Sequence, residues 1–463
     1  MAEFSVKELM EWNEIIEKKV KEFGLDYYEQ EFEVCSYEDM IGYETYVGMP
    51  SHYPHWSYGK NYDKIKTLHK YNLTGLPYEM VINSNPCIAY LMQDNTLLLQ
   101  ILTIAHVYGH NDFFKCNRLF KEGTRAEVTI ETFKNHAERI RGYISDPTIG
   151  YEKVEKILNA AHAVKFQTGR VVGERRKSDK QKVKEIIHSA NEVVNEHPLI
   201  VPKKEFEKPL PDFHKIPLEP EPDLLWFLGE YGKMDDWEVD ILNIVREETR
   251  YFIPQMETKI MNEGWASYWH YNILKSLDLD QGLHLEFLKR HNQVIRPHTG
   301  QMNPYYVGFK IFEDLVEKNN GDTKKIFEAR EMERDSSFLR KYLTRDLCQE
   351  LNLFEYVKIG NDYVVEEVSD EKGWRKIRDY LGVSVGVGAI PVINVVELVQ
   401  KDRMLVLEHQ YDGRELELNY AYETLKHVVD LWDGKVALIT NLDGKRKMIT
   451  CDETKKVTLS SMT

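Results

Sequence analysis

Residues 97–114 read LLLQILTIAHVYGHNDFF, a helix-length run that is apolar on nearly every side. A helix without a polar face must lie in the middle of a domain, with other elements packed around it, so this run requires a chain able to build a sizeable core. The chain meets that requirement. Its 463 residues, 42% hydrophobic and 30% charged, have globular composition and allow about three ordinary domains, or one large helical domain and one small one. No run of about 18 apolar residues occurs, so no membrane-spanning helix is expected.

Charge narrows the partners. Lys and Arg number 61 against 76 Asp and Glu, a net charge of −15. Such a chain has no general attraction to phosphate backbones or anionic lipid, and no nucleic-acid partner is expected. The one basic run, RVVGERRKSDKQKVK at 170–184, reads as a solvated helix end or connection. The five cysteines (35, 87, 116, 348, 451) are scattered and form no CxxC pair, which indicates neither a disulfide framework nor a cysteine zinc site. Charges interrupt MAEFSVKELMEWNEIIEKKVKEFG throughout, leaving no signal-peptide core, and a cytoplasmic location is expected.

The first segment predicts a helix, with Ser5 and Glu8 in a capping-box pattern, Leu9, Ile16, Val20 and Phe23 at helical spacing, and Gly24 as the stop. Residues 36–62 carry many aromatics with Gly and Pro but no period, which predicts an irregular segment lying against the core. Seven prolines between 198 and 222 predict an extended connector. Helical patterning resumes at DLLWFLGEY and runs to about 354, where the period changes to two. YVKIGNDYVVEEV reads as a hairpin around Gly360-Asn361, and VINVVELVQKDRMLVLEHQYDGRELEL as strands joined at Lys401-Asp402 and Asp412-Gly413. The helix ETLKHVVDLW and the hairpin VALITNLDGKRKMIT follow. The expected fold is therefore a mainly α N-terminal domain at 1–354, containing the 198–222 connector and zincin-like metal-site helices, with a small C-terminal α+β domain at 355–463.

The sharpest chemical signal is AHVYGH. His106 and His110, at i and i+4, project from one face of the buried helix and can hold one divalent cation, zinc by preference. The competing reading is a pair of hydrogen-bonded core histidines. The second signal is MNEGWASYWH at 261–270. It is similar to the EGWA segments that supply the glutamate ligand in some gluzincin metallopeptidases, where two histidines come from HExxH. That similarity makes Glu263 the third ligand, with an open position left for water. His270 lies two turns beyond Glu263, ~10 Å along the axis, too far to share the ion, and is placed behind the ligands or facing substrate. Where HExxH carries its general-base glutamate this chain has Val107. Another base is then needed, and Glu79 and Asp112 are the candidates, Asp112 with the alternative of orienting a ligand imidazole. Glu79, Asp112 and His270 form the candidate catalytic set.

His55, Trp56 and Lys60 lie in HYPHWSYGK, which mixes aromatic, imidazole and ammonium groups as carbohydrate- and peptide-binding clefts do; such loops also simply cover cores. Tyr305, in the turn NPYYVG before a helix, joins them as a candidate substrate contact. GVGAIP at 386–391 has Pro where a dinucleotide fingerprint needs its third glycine and opens no helix, so it is rejected. No GxxxxGK or GxSxG is present, which removes phosphate-loop and serine-hydrolase chemistry.

Taken together, HWSYGK (55–60), YEMVINSNPCIAYLM (78–92), AHVYGHNDFFKCN (105–117), NEGWASYWH (262–270) and NPYYVGF (303–309) resemble the stage V sporulation protein R (SpoVR) family over essentially the whole chain. The resemblance implies a bacterial cytoplasmic protein connected with the spore cortex, a modified peptidoglycan layer; relatives also occur in bacteria that make no spores. Cys116 stands where relatives usually have Asn. Two functions fit. One is a metal-dependent hydrolase-like protein acting on an amide of a peptidoglycan-related or peptide substrate. The other is a non-catalytic assembly or regulatory protein with structural histidines.

Overall fold

The computed structural model describes residues 4–71, 79–191, 212–297, 302–359 and 362–462. Contacts divide the chain into two compact units, residues 1–145 with 250–389 and residues 146–249 with 390–463.

The first unit is mainly helical. Helix α1 (Val6–Glu22) starts where the Ser5 hydroxyl accepts the Glu8 N–H, and Gly24 takes a left-handed φ of 81° just past its end. Two further helices, Tyr37–Thr45 and α2 (Trp56–Lys70), occupy much of the stretch expected to be irregular. Their start signals were hidden among the aromatics: Ser36 and Asp39 form a full capping box, and the His55 ring caps α2. A small sheet of β1 (Gln30–Cys35), β2 (Glu79–Ile82) and β3 (Cys87–Met92) runs in the order β1-β3-β2, with β1 parallel and β2 antiparallel to β3.

Helix α3 (Leu97–Cys116) is the apolar run. It is capped by the Thr96 hydroxyl, and every residue except Leu97 and Lys115 is buried. Around it pack α1, α4 (Lys259–Ser276) and α5 (Gln281–Val294), and α4 in turn packs on α6 (Pro304–Lys318). Two approaches set this packing. A Cβ built on Gly109 of α3 would stand 2.7 Å from the Ala266 Cα of α4, and one on Gly264 of α4 would stand 2.4 Å from the Gly308 Cα of α6. The helices therefore touch backbone to backbone, and only glycine fits. Helix α7 (Asp335–Tyr342) supplies the Asp335 carboxylate, which accepts the Ile260 and Met261 N–H groups at 2.8 and 2.9 Å and so caps α4 from a distant part of the chain.

The antiparallel pair β4 (Phe354–Ile359) and β5 (Asp362–Val368) forms as expected; its 360–361 tip lies outside the described residues. This pair and the helix Gly373–Ser384 belong to the first unit, because that helix packs on α7 and β5. The compact units thus do not divide at 354/355. The change of period there marks a change of element type, not a change of core.

The second unit holds the α+β architecture. Its sheet runs β10-β9-β8-β7-β6, comprising β6 (Ile393–Val399), β7 (Met404–His409), β8 (Val436–Leu442), β9 (Lys445–Cys451) and β10 (Val457–Ser461). All neighbours are antiparallel except β7 and β8. A parallel pair needs a crossover, and α8 (Leu418–Trp432) makes it. RELEL at 414–418 is accordingly not a strand; Glu417 caps α8 by accepting the Tyr420 N–H at 2.7 Å. The tight turn at Asp443-Gly444, both with positive φ, joins β8 to β9 as read from the sequence. Of the proline-rich connector, residues 198–211 lie outside the described residues, and Glu221 pairs through its backbone with Val395 of β6. No helix among the described residues is long and apolar enough to cross a membrane.

Gly264→Ala should destabilise the protein by about 1–3 kcal/mol, since the new methyl has no room against the Gly308 backbone. Gly142→Ala, in a helix with open space at its Cβ, should instead stabilise by roughly 0.5–1 kcal/mol. Denaturant unfolding of the two variants beside the parent checks both signs.

Candidate metal centre

The EGWA segment reads residue by residue as a packing device around one acidic group. Gly264 and Ala266 make the two close helix approaches, and the Trp265 indole N–H donates to Asp112 at 2.8 Å. With those three committed, Glu263 is left facing the histidines of α3. Its Oε2 lies 3.8 Å from His106 Nε2 and 3.6 Å from His110 Nε2. Glu79, the first residue of β2, places Oε1 3.9 Å from His106 Nε2, and the ligand atoms of Glu79, His106 and His110 fall within 4.8 Å of one another.

These separations are too long for hydrogen bonds. Donor atoms bound at about 2.1 Å to one ion stand roughly 3–4 Å apart, which the three carboxylate–imidazole distances match. Two atoms strengthen the fit: His106 Nε2 and Glu79 Oε2 are buried with no hydrogen-bond partner among the described residues. Two imidazole nitrogens with one or two carboxylates are a donor set suited to zinc and to other divalent first-row metals.

The backs of the rings are held. His110 Nδ1 meets Asn262 Oδ1 at 2.9 Å, so the ring donates there and turns a lone pair on Nε2 toward Glu263. His106 Nδ1 meets His270 Nδ1 at 2.9 Å, and His270 Nε2 meets His291 Nδ1 of α5 at 2.9 Å. His270 is completely buried and lies behind His106. Tyr305 is brought to the cluster, its ring stacked 6.2 Å from that of His106.

Asp112 is not brought there. Two residues past His110, it faces away around the helix and accepts from the Asp26 N–H at 2.8 Å, the Trp265 indole at 2.8 Å and the Arg330 guanidinium at 2.8 Å. Its carboxylate is fully engaged in tying α3 to neighbouring segments. His55 is committed to α2 as its N-cap, while Trp56 is half exposed with the Lys60 ammonium 5.8 Å from its ring centre.

Electrostatics separate the two carboxylates. Burial, reinforced by the Glu263 charge and opposed by His106, pushes Glu79 up to about 7. Burial also acts on Glu263, but its contact with His106, the potential of the site's imidazoles and the Lys259 charge together outweigh it and hold that group below the ordinary carboxylate range. Burial drives His110 down to about 4 and His291 to about 4, and lowers His270 further, so these three rings are neutral near pH 7.

Asn262, His291 and Asp335 were not foreseen from the sequence. Asn262 had a signal, since it precedes the ligand-type glutamate and shares its helix; His291 and Asp335 reach the site only through tertiary contacts.

The same chain matches two family models, "SpoVR like protein" over residues 3–390 and "SpoVR-like C-terminal domain" over residues 391–443. The chain belongs to the SpoVR family. It is thereby a sporulation-related protein. It is also similar to the "Uncharacterized protein YcgB" of Escherichia coli (strain K12), 32% identical over 477 residues that cover 94% of this chain and 92% of that protein. No solved structure matches it.

The raised Glu79 has a consequence for stability in chelator-treated protein. A carboxyl at about 7 in the fold and 4.5 unfolded keeps its proton longer in the native state. Its contribution is complete below pH 4.5 and is lost as pH rises through 7, a change on the order of 3 kcal/mol. Glu79→Gln, neutral at every pH, should therefore raise the melting temperature at pH 8 and leave it nearly unchanged at pH 4.5. Melting curves across that range test it; an equal effect at both ends would show that Glu79 does not carry a raised pKa.

Proposed function

We propose that this SpoVR-family protein is a metal-dependent hydrolase-like protein of the spore-cortex, peptidoglycan pathway that acts on an amide bond. The observation that carries the reading is the approach of Glu263 to both imidazoles and of Glu79 to His106, with His106 Nε2 and Glu79 Oε2 buried and without hydrogen-bond partners among the described residues. His106, His110 and Glu263 are assigned to a divalent cation, zinc by donor type. A cation held there supplies positive charge that polarises an amide carbonyl and acidifies water.

The chain's own residues do the rest. Glu263, held in its charged form, is the anionic ligand. Glu79, whose carboxylate lies 3.9 Å from His106, takes a proton from the attacking water and returns it to the departing amine nitrogen, the part that Val107 cannot play. The Tyr305 ring beside His106 borders the space where an acyl group would sit, and the exposed Trp56–Lys60 pair is assigned to substrate contact. A protein in the cytoplasm would meet a wall precursor, a recycled wall fragment or a protein as its substrate.

Elemental analysis of purified protein beside His106→Ala and His110→Ala tests the site. About one zinc, iron or manganese ion per chain is expected in the parent and a loss of it in both variants. Glu79→Gln should keep its metal and lose about 10²–10⁴-fold in amine release from peptidoglycan peptides. A parent protein that stays metal-free after supplementation would sink this reading and leave the non-catalytic assembly or regulatory role.

A further inference from the structure

Three imidazoles on three helices form a string that ends at the candidate metal centre. His106 of α3 is joined to His270 of α4 through Nδ1 to Nδ1 at 2.9 Å, and His270 to His291 of α5 through Nε2 to Nδ1 at 2.9 Å. All three rings are buried, at 3%, 0% and 4% exposure, so water does not substitute readily for a missing partner.

A neutral imidazole carries one N–H and one lone pair, and each bond in the string needs one of each. Only two arrangements satisfy both bonds. In the first, His106 bears its proton on Nδ1, and His270 and His291 both bear theirs on Nε2. In the second, His106 bears its proton on Nε2, and His270 and His291 both bear theirs on Nδ1. Any mixed arrangement sets two protons or two lone pairs against each other inside the core. The tautomers of the three rings are therefore coupled, and only the first arrangement turns a lone pair of His106 toward Glu79 and Glu263.

We propose that His270 and His291 are positioning residues that, through these two imidazole–imidazole bonds, fix the tautomer of His106 and so decide whether its Nε2 presents a lone pair to the cation site. The proposal rests on the metal-site reading above. It gives a reason for a histidine 21 residues beyond His270 whose Nδ1 bonds the back of the string. Without the acceptor at His291, the first arrangement strands a buried N–H on His270, whereas the second leaves only an unfilled lone pair. Losing His291 thus tilts the string toward the arrangement that does not bind.

The test uses the full-length chain and zinc. In chelator competition His291→Leu should bind zinc about 10–100-fold more weakly than the parent. His291→Asn, whose Oδ1 offers an acceptor near the former Nδ1 position, should recover most of the loss. A folded Leu variant that binds like the parent overturns the proposal, as does an Asn variant that loses as much as Leu, since packing alone would then account for the effect. Long-range ¹H–¹⁵N spectra of histidine-labelled parent protein supply a second readout that needs no variant to fold. In zinc-loaded protein His270 and His291 should both be Nε2–H. In metal-free protein the two should share one tautomer, with His106 in the other, and any other combination overturns the coupling. A parent that takes up no zinc would refute the metal reading alone, with the coupling still decided by the metal-free spectra.

Discussion

The backbone contacts of α3 with α4 and of α4 with α6 are the constraint from which the candidate site follows. With Gly109 against Ala266 and Gly264 against Gly308, no side chain separates the helices, and neither pair can slide or rotate without a clash. His106 and His110 lie either side of Gly109 along α3, and Glu263 lies next to Gly264 on α4. A one-residue change in that register would carry Glu263 some 100° around its helix and out of reach of both imidazoles. Large neighbours lock the arrangement: Trp265 and Trp269 are fully buried and pack edge to face at 5.5 Å.

Two buried acids hold this geometry without taking part in it. Asp112 gathers a guanidinium, an indole N–H and a backbone N–H, which oppose but do not cancel the cost of burying its charge, so its carboxyl is pushed up to about 6. Those bonds join α3 to α4 through Trp265 and to the segment before β1 through Asp26. Asp335 does the same at the start of α4, where Thr258 makes no side-chain cap and the first N–H groups would otherwise be buried without partners. The approach of the helices thus rests on apolar contact at its centre and on two hydrogen-bonded buried acids at its margins.

The parts of this architecture that were legible in the sequence are those set by local pattern. The 97–116 helix announces itself by hydrophobicity, the His106–His110 pair by its spacing, and the β8–β9 hairpin by Asp443-Gly444. Glu263 was singled out by the similarity of its segment to EGWA, and its carboxylate lies 3.8 and 3.6 Å from the two imidazoles. Where tertiary context decides, the sequence was silent. A carboxylate at position 112 looks the same whether it is free or bonded to a guanidinium 218 residues away. The helix Tyr37–Thr45 was hidden because it is short, contains Gly42 and has no continuous apolar stripe, leaving only the Ser36–Asp39 box as a signal. The division into units was hidden because residues 146–249, which carry helices of their own, belong with the C-terminal sheet and not with the helices on either side of them in the chain.

The valine at position 107 is the departure that most tests the hydrolase reading, and the fold gives it a physical context. Val107 is fully buried, so a carboxylate in its place would need partners of its own inside the core. Glu79 approaches instead from β2, a separate element, with its carboxylate 3.9 Å from His106 and Glu263 beside it. Two carboxylates on different elements can be given different environments, one lowered through its contact with His106 and the other raised by burial and by its negative neighbour. On the proposed reading Glu263 is the ligand and Glu79 the proton carrier. The requirement for a base adjacent to the first histidine is then a requirement on space, not on sequence, and a strand distant in the chain can meet it.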